Sequence, residues 1–144
     1  MSFLYRGGRI YITYTDGGNM NDEQYQEKLT SEQYQVTRLK ATEPAFTGAL
    51  LHNKEKGTYS CICCGTQLFS SDTKFDSGSG WPSFWDEVDD ANIIQEEDVS
   101  YGMHRIEVMC STCGAHLGHL FPDGPQPTGL RYCINSLSLG FRAD

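Results

Sequence analysis

The segment Leu130-Arg131-Tyr132-Cys133-Ile134-Asn135-Ser136 alternates between two characters. In an extended strand, successive side chains point to opposite faces. Leu130, Tyr132 and Ile134 then share one face, and Arg131, Cys133 and Asn135 share the other. The first face suits a core. The second lines up a cation, a thiol and an amide. A guanidinium beside a thiol favours the thiolate, the form in which cysteine is a nucleophile. Cys133 is therefore the candidate reactive centre, with Arg131 and Asn135 as candidate activating neighbours. Leu137, Leu139 and Phe141 continue the apolar pattern with opposite parity. A bulge or turn near Asn135-Ser136 would reconcile the two sets.

The strand reading extends outward. Pro122 to Gly129 is a loop feeding the Cys133 strand. Strands are expected over Met103 to Met109 and Ile93 to Glu97. The first of these mixes Arg105 and Glu107 with Ile106 and Val108, as a half-exposed strand would. Tyr59 to Cys61 and Gln67 to Phe69 read as strands flanking a tight turn. Helical signals are confined to the N-terminal part. Asn21 to Lys28 is polar and helix-favouring, and Thr30-Ser31-Glu32-Gln33 resembles a capping box opening a helix over Glu32 to Thr37. Abundant glycine, 15 of 144 residues, supports a mainly β fold with many turns. The acidic run Asp86, Glu87, Asp89 and Asp90 reads as a solvated face.

The totals narrow the function classes. One domain with one core is expected over residues 20–144. Residues 1–19 read as a poorly ordered extension without the apolar region of a secretion signal. The net charge of −8 argues against nucleic acid, and no apolar run approaches a membrane span. Cytoplasm is the expected compartment, an organellar leader in the extension being the alternative.

Cys61-x-x-Cys64 and Cys110-x-x-Cys113 are each followed by glycine, Gly65 and Gly114. A tight turn that presents two thiolates, used twice, makes a tetrahedral four-sulfur site suited to structural zinc. Disulfides, or redox use of either pair, are the competing readings. Such a site has no open position, so catalysis would lie elsewhere. It leaves Cys63, inside the first turn, as a filler thiol or a second redox cysteine.

A lone strand cysteine is ordinarily a small buried apolar residue. His116-Leu117-Gly118-His119 shifts that weight, because the second metal turn fixes two imidazoles directly after it. Proton donation or relay is the role they suit. His52 and His104 read as surface residues. In Gly80-Trp81-Pro82-Ser83-Phe84-Trp85, Trp81 lies in a loop and could wall an apolar pocket.

Further runs add to these: Thr73-Lys74-Phe75-Asp76-Ser77-Gly78, Phe121-Pro122-Asp123-Gly124-Pro125 and Arg131-Tyr132-Cys133-Ile134-Asn135-Ser136. In content and order they resemble the type B methionine sulfoxide reductases, the peptide-methionine (R)-S-oxide reductases, over roughly Ser31 to Phe141. The resemblance implies two antiparallel sheets with short N-terminal helices, stapled by a four-cysteine zinc site remote from the reaction centre. It implies attack of Cys133 on the sulfoxide sulfur, protonation of the departing oxygen through His116 and His119, and a Trp81 wall for the S-methyl group. Arg131 and Asn135 would keep Cys133 reactive. Oxidised proteins or peptides would be the substrate, thioredoxin or a small thiol the reductant, and the protein a monomer.

Many members carry a resolving cysteine between two glycines before the Trp-Pro, where this chain has Ser79. Three routes to regeneration follow: Cys63 as resolving thiol, direct reduction by an external thiol, or a cysteine replaced at position 79 so as to trap an intermediate. A non-catalytic, zinc-stapled protein-binding module is the competing functional class, though it would not need Arg131, Cys133 and paired histidines.

Overall fold

The computed structural model describes residues 21–144, together with a short antiparallel backbone pairing of β1 (Phe3–Leu4) with β2 (Tyr11–Ile12). The extension expected over residues 1–19 otherwise lies outside the described residues. Two helices follow, each opened by a reciprocal capping box. In α1 (Asp22–Lys28) the Asn21 side chain accepts from the Gln24 N–H, and Gln24 accepts from the Asn21 N–H. In α2 (Ser31–Leu39) Thr30 and Gln33 do the same. Each box satisfies two N–H groups that a helix start leaves without partners. The second helix thus begins one residue earlier and ends two residues later than its sequence signal. Lys40 closes it in the left-handed conformation, with φ 65°.

The rest is mainly β, in two antiparallel sheets. One contains β3 (Gly57–Cys61), β4 (Gln67–Ser70) and β11 (Leu139–Ala143) in the order β11-β3-β4. The other contains β5 (Lys74–Phe75), β6 (Ser83–Phe84), β7 (Ile93–Asp98), β8 (Arg105–Cys110), β9 (His116–Phe121) and β10 (Arg131–Ile134). Its order is β5-β6-β10-β9-β8-β7, so the nucleophile strand is internal, paired on both edges.

Tyr132 and Ile134 are buried, as their shared face predicts. They meet an aromatic core. Phe69 stacks on Phe84 at 4.4 Å, Tyr59 meets Phe84 edge-on at 5.1 Å, and Phe69 tilts onto Tyr132 at 5.5 Å. Burying side chains of this size stabilises by roughly 1.5–3 kcal/mol each.

The parity break after Ile134 has a concrete cause. The strand ends there, a 3-10 turn spans Ser136–Ser138, and the chain enters the other sheet as β11. Leu139 pairs with Cys61 and is buried. The expectation of a half-exposed strand around Glu107 is corrected. That strand lies between β7 and β9, and Glu107 to Cys110 are all buried. The acidic run is not wholly free either: Glu87 accepts a hydrogen bond from the Tyr132 hydroxyl.

Candidate active site

Cys133 lies opposite His119 on β9 and opposite Ser83 on β6. The Ser79 hydroxyl oxygen, from the loop before β6, is 3.9 Å from the Cys133 sulfur. Arg131 is clamped by Asp123, with Nε donating to Oδ1 at 2.8 Å and Nη2 to Oδ2 at 3.2 Å. Its guanidinium also lies 4.4 Å from the centre of the Phe121 ring. Arg131 is held above its ordinary value first by the bonds to Asp123, with a smaller contribution from Cys133.

Cys133 is pushed up by burial, against the pull of the Ser79 hydroxyl and the Arg131 charge, while Glu43 adds a small upward push. Arg131 does favour the thiolate, as its position predicts. Desolvation outweighs it, so the resting group is the thiol.

The two histidines are three apart, which in a regular strand would put them on opposite faces. The register of β8 against β9 shifts between Val108 and Met109: Val108 pairs with Gly118, and Met109 with His116. Leu117 is the extra residue of a bulge, which re-aims the strand. The imidazoles consequently meet edge-on at 5.6 Å. Gly118 is required at the close approach to the nucleophile strand. A Cβ there would come within 2.0 Å of the Cys133 carbonyl oxygen.

Each ring has a carboxylate partner that sequence reading missed. His116 Nδ1 lies 2.7 Å from Glu107 Oε2, in a buried pair that Lys40 touches from outside at 3.5 Å. His119 Nε2 lies 2.8 Å from Asp98 Oδ2. Burial lowers the His119 pKa, opposed by Asp98. Asp98 itself is held below the carboxylate range by Ser100 and then His119. Glu107 ends below its ordinary value because His116 and Lys40 outweigh its burial.

A third carboxylate, Glu43, is a hub. Its side chain accepts from the Ser136 and Leu137 N–H groups at 3.0 and 2.9 Å. Its backbone N–H donates to Asn135 Oδ1, and its carbonyl accepts from the Trp81 indole at 3.0 Å. At 3 % exposure it is fully enclosed, and burial raises its pKa. Glu43-Pro44 reads only as a helix stop in the sequence. A buried acid there becomes visible only once residues some 90 positions away are folded against it. Asn135 donates to the Leu117 carbonyl at 3.0 Å and accepts from Glu43, so its amide bonds hold the strand end and not the thiol.

The remaining cysteines gather elsewhere. Cys61, Cys64, Cys110 and Cys113 form a cluster whose sulfurs all lie within 4.8 Å of one another and could hold a metal ion. The Cys61–Cys113 and Cys64–Cys110 contacts are 3.6 Å. That is well beyond the ~2.05 Å of a disulfide. Both turns are built alike. Gly65 and Gly114 take positive φ (84° and 78°) and donate back to the carbonyls of Cys61 and Cys110. One turn caps a hairpin of each sheet, so the cluster joins the two sheets. Arg38 of α2 closes over it, with Nη2 on the Cys113 carbonyl at 2.9 Å and Nη1 3.6 Å from its sulfur. Cys63 is buried here, against Cys113, Cys61, Thr37 and Arg38. None of the groups around it is among those around Cys133.

Comparison with known proteins finds relatives along most of the chain. The SelR domain family matches residues 29–143. A protein of Leptospira interrogans named peptide methionine sulfoxide reductase MsrB is 59% identical over 126 residues, covering 88% of this chain and 96% of that protein. Proteins of the same name from Methanosarcina mazei and Acinetobacter baylyi are 60% and 54% identical. They align over 84% and 88% of this chain, and over 86% and 91% of their own lengths.

Proposed function

The chain belongs to the SelR domain family, and from that premise we propose that Cys133 performs the reduction of the R-epimer of methionine sulfoxide in peptides and proteins. The observation carrying this reading is the grouping, on adjacent strands, of Cys133, a clamped cation and two carboxylate-bound imidazoles.

Methionine sulfoxide is a polar, chiral lesion that enzymes reverse. The Cys133 thiol gives up its proton as its sulfur attacks the sulfoxide sulfur, and the departing oxygen takes one proton in return, so none is consumed overall. His119, the less buried of the two histidines, supplies it, with Asp98 fixing its ring. His116, closed against Glu107, orients the pair. Collapse leaves methionine and a sulfenic acid on Cys133. Two electrons pass from cysteine to the sulfoxide sulfur, and the oxygen passes the other way. Arg131 stabilises the thiolate as it forms. Trp81, with its N–H tied to Glu43, walls the pocket for the S-methyl group.

Regeneration requires two thiol equivalents, which return Cys133 and release water and a disulfide. Ser79 stands 3.9 Å from the nucleophile, within reach for a resolving group, but a hydroxyl forms no disulfide. Cys63 is enclosed in the cluster. Direct reduction of the sulfenic acid by thioredoxin or a small thiol is therefore the favoured route.

Zinc is the metal the cluster suits. Zn–S bonds of ~2.3 Å in a tetrahedron require sulfurs about 3.8 Å apart, close to the 3.6 Å contacts present. Cys61, Cys64, Cys110 and Cys113 would hold it with no open position, and it would supply a structural clamp. Unpaired thiols suit a reducing compartment, and the cytoplasm and a monomeric state are proposed. Among the described residues no helix is long and apolar enough to cross a membrane.

The test is one turnover on an R-sulfoxide peptide without reductant, followed by mass analysis of the Cys133 peptide. One added oxygen, trapped by a sulfenic-acid reagent, is expected. Unmodified Cys133 with unreduced substrate would sink the reading. Loss of two hydrogens would establish a Cys63–Cys133 disulfide instead.

A further inference from the structure

Phe46 is a large aromatic side chain that neither the core nor the reaction centre uses. It is 67% exposed, and its backbone is left-handed, with φ 66°. That conformation is costly for a bulky residue and, where it persists, something around it holds it in place. Among the described residues two other non-glycine positions share it. One of them, Lys40, has the ordinary reason of ending a helix. At Phe46 the restraint is visible. Its N–H donates to the Gly80 carbonyl at 2.7 Å, and Thr47 closes the turn by donating to the Pro44 carbonyl.

This fastening sets the ring at the lip of the site. A Cβ on Gly80 would lie 3.0 Å from Phe46 Cε2, so the ring lies directly on that glycine. On one side of Gly80 is Ser79, 3.9 Å from the Cys133 sulfur. On the other is Trp81, whose indole is tied to Glu43. Phe46 thus covers the glycine that joins Ser79, beside the nucleophile, to Trp81.

We infer that Phe46 is the seat for an apolar side chain one or two positions from the methionine sulfoxide of a polypeptide substrate. The inference rests on the reaction proposed above. The sulfoxide sulfur must reach Cys133, which fixes where the substrate chain crosses the surface. At ~3.3 Å per residue of extended chain, the neighbouring residues fall over this lip. Gly80, bare of a side chain, leaves the room that Ala45 and the Phe46 ring fill. Free methionine sulfoxide has no residue to place there.

Steady-state kinetics with dithiothreitol as reductant test this on three R-sulfoxide substrates: a pentapeptide with leucine flanking the sulfoxide, its counterpart with serine, and N-acetyl-methionine sulfoxide. For Phe46→Ser, KM for the leucine peptide should rise about fivefold to tenfold. Its kcat, and kcat/KM for N-acetyl-methionine sulfoxide, should stay within about twofold. Phe46→Leu should restore most of the affinity. Equal losses on all three substrates, or no change on any, would overturn the inference while leaving the reaction in place. A wild-type protein that reduces none of the three would overturn the reaction and the inference together.

Discussion

The four-cysteine cluster and the Cys133 site use the same side chain to opposite ends. In the cluster, sulfur meets sulfur at 3.6 Å on two matching turns, and nothing is left open. At Cys133 a single sulfur faces a hydroxyl from the loop before β6, a cation of its own strand and the imidazole strand β9. The first environment is local chemistry repeated. The second exists only once β10 is paired between β6 and β9. A cysteine's role in this protein follows from how many thiols converge on it and how far burial opposes its charge.

The largest expected effect breaks the cluster. Cys110→Ser, or chelation of the reduced protein, should leave the chain unfolded by circular dichroism and without stoichiometric zinc. Structural zinc contributes roughly 10–16 kcal/mol in small peptides, as much as a whole domain's net stability. A cooperative fold that survives with three ligands would erase the proposed contrast. Cys133→Ser should do the reverse. Sulfoxide turnover should fall at least about 10³-fold, with the melting temperature nearly unchanged.

Asp98→Asn should lower kcat about tenfold. Asp98 raises the His119 pKa against burial, so its loss drops that pKa further. The protonated, donating form is then lost at lower pH, and the falling limb of the kcat profile should move toward acid. A limb that stays in place would remove His119 from the proton path. Glu43→Gln should cost about 1–3 kcal/mol in stability, because one of the two N–H groups it accepts would then face an amide NH₂. The subtlest measurement is alkylation of Cys133 by iodoacetamide against pH. Burial raises its pKa, so the rate should climb with an inflection above that of an ordinary cysteine. Arg131→Ala should move it higher still.

The same contrast explains what was legible in the sequence. The cluster, the capping residue Thr30, and the strands around Tyr59, Phe69 and Ile93 depend on near neighbours and were readable. Cys133 and its flanking Arg131 were readable for the same reason. The shared face of His116 and His119 was not, since it depends on Leu117 being the extra residue of a bulge. Glu107 looked half-exposed because alternation cannot tell whether a charged residue meets water or a buried imidazole. Strands of two residues, such as β5 and β6, are too short to show any period. Asn135 was placed beside the thiol by parity, but the strand stops one residue before it.

The cluster also bears on the order in which the sheets can close. Leu139 must find Cys61, its partner 78 positions back along the chain. Once the turns of Cys61 and Cys113 are joined, the path from the clamp to Leu139 is 26 positions, a third as long. The logarithmic cost of loop closure then falls by about 1 kcal/mol. A clamp remote from the chemistry is thereby a topological shortcut. It brings the last strand home sooner, and with it the turn that Glu43 holds behind the nucleophile.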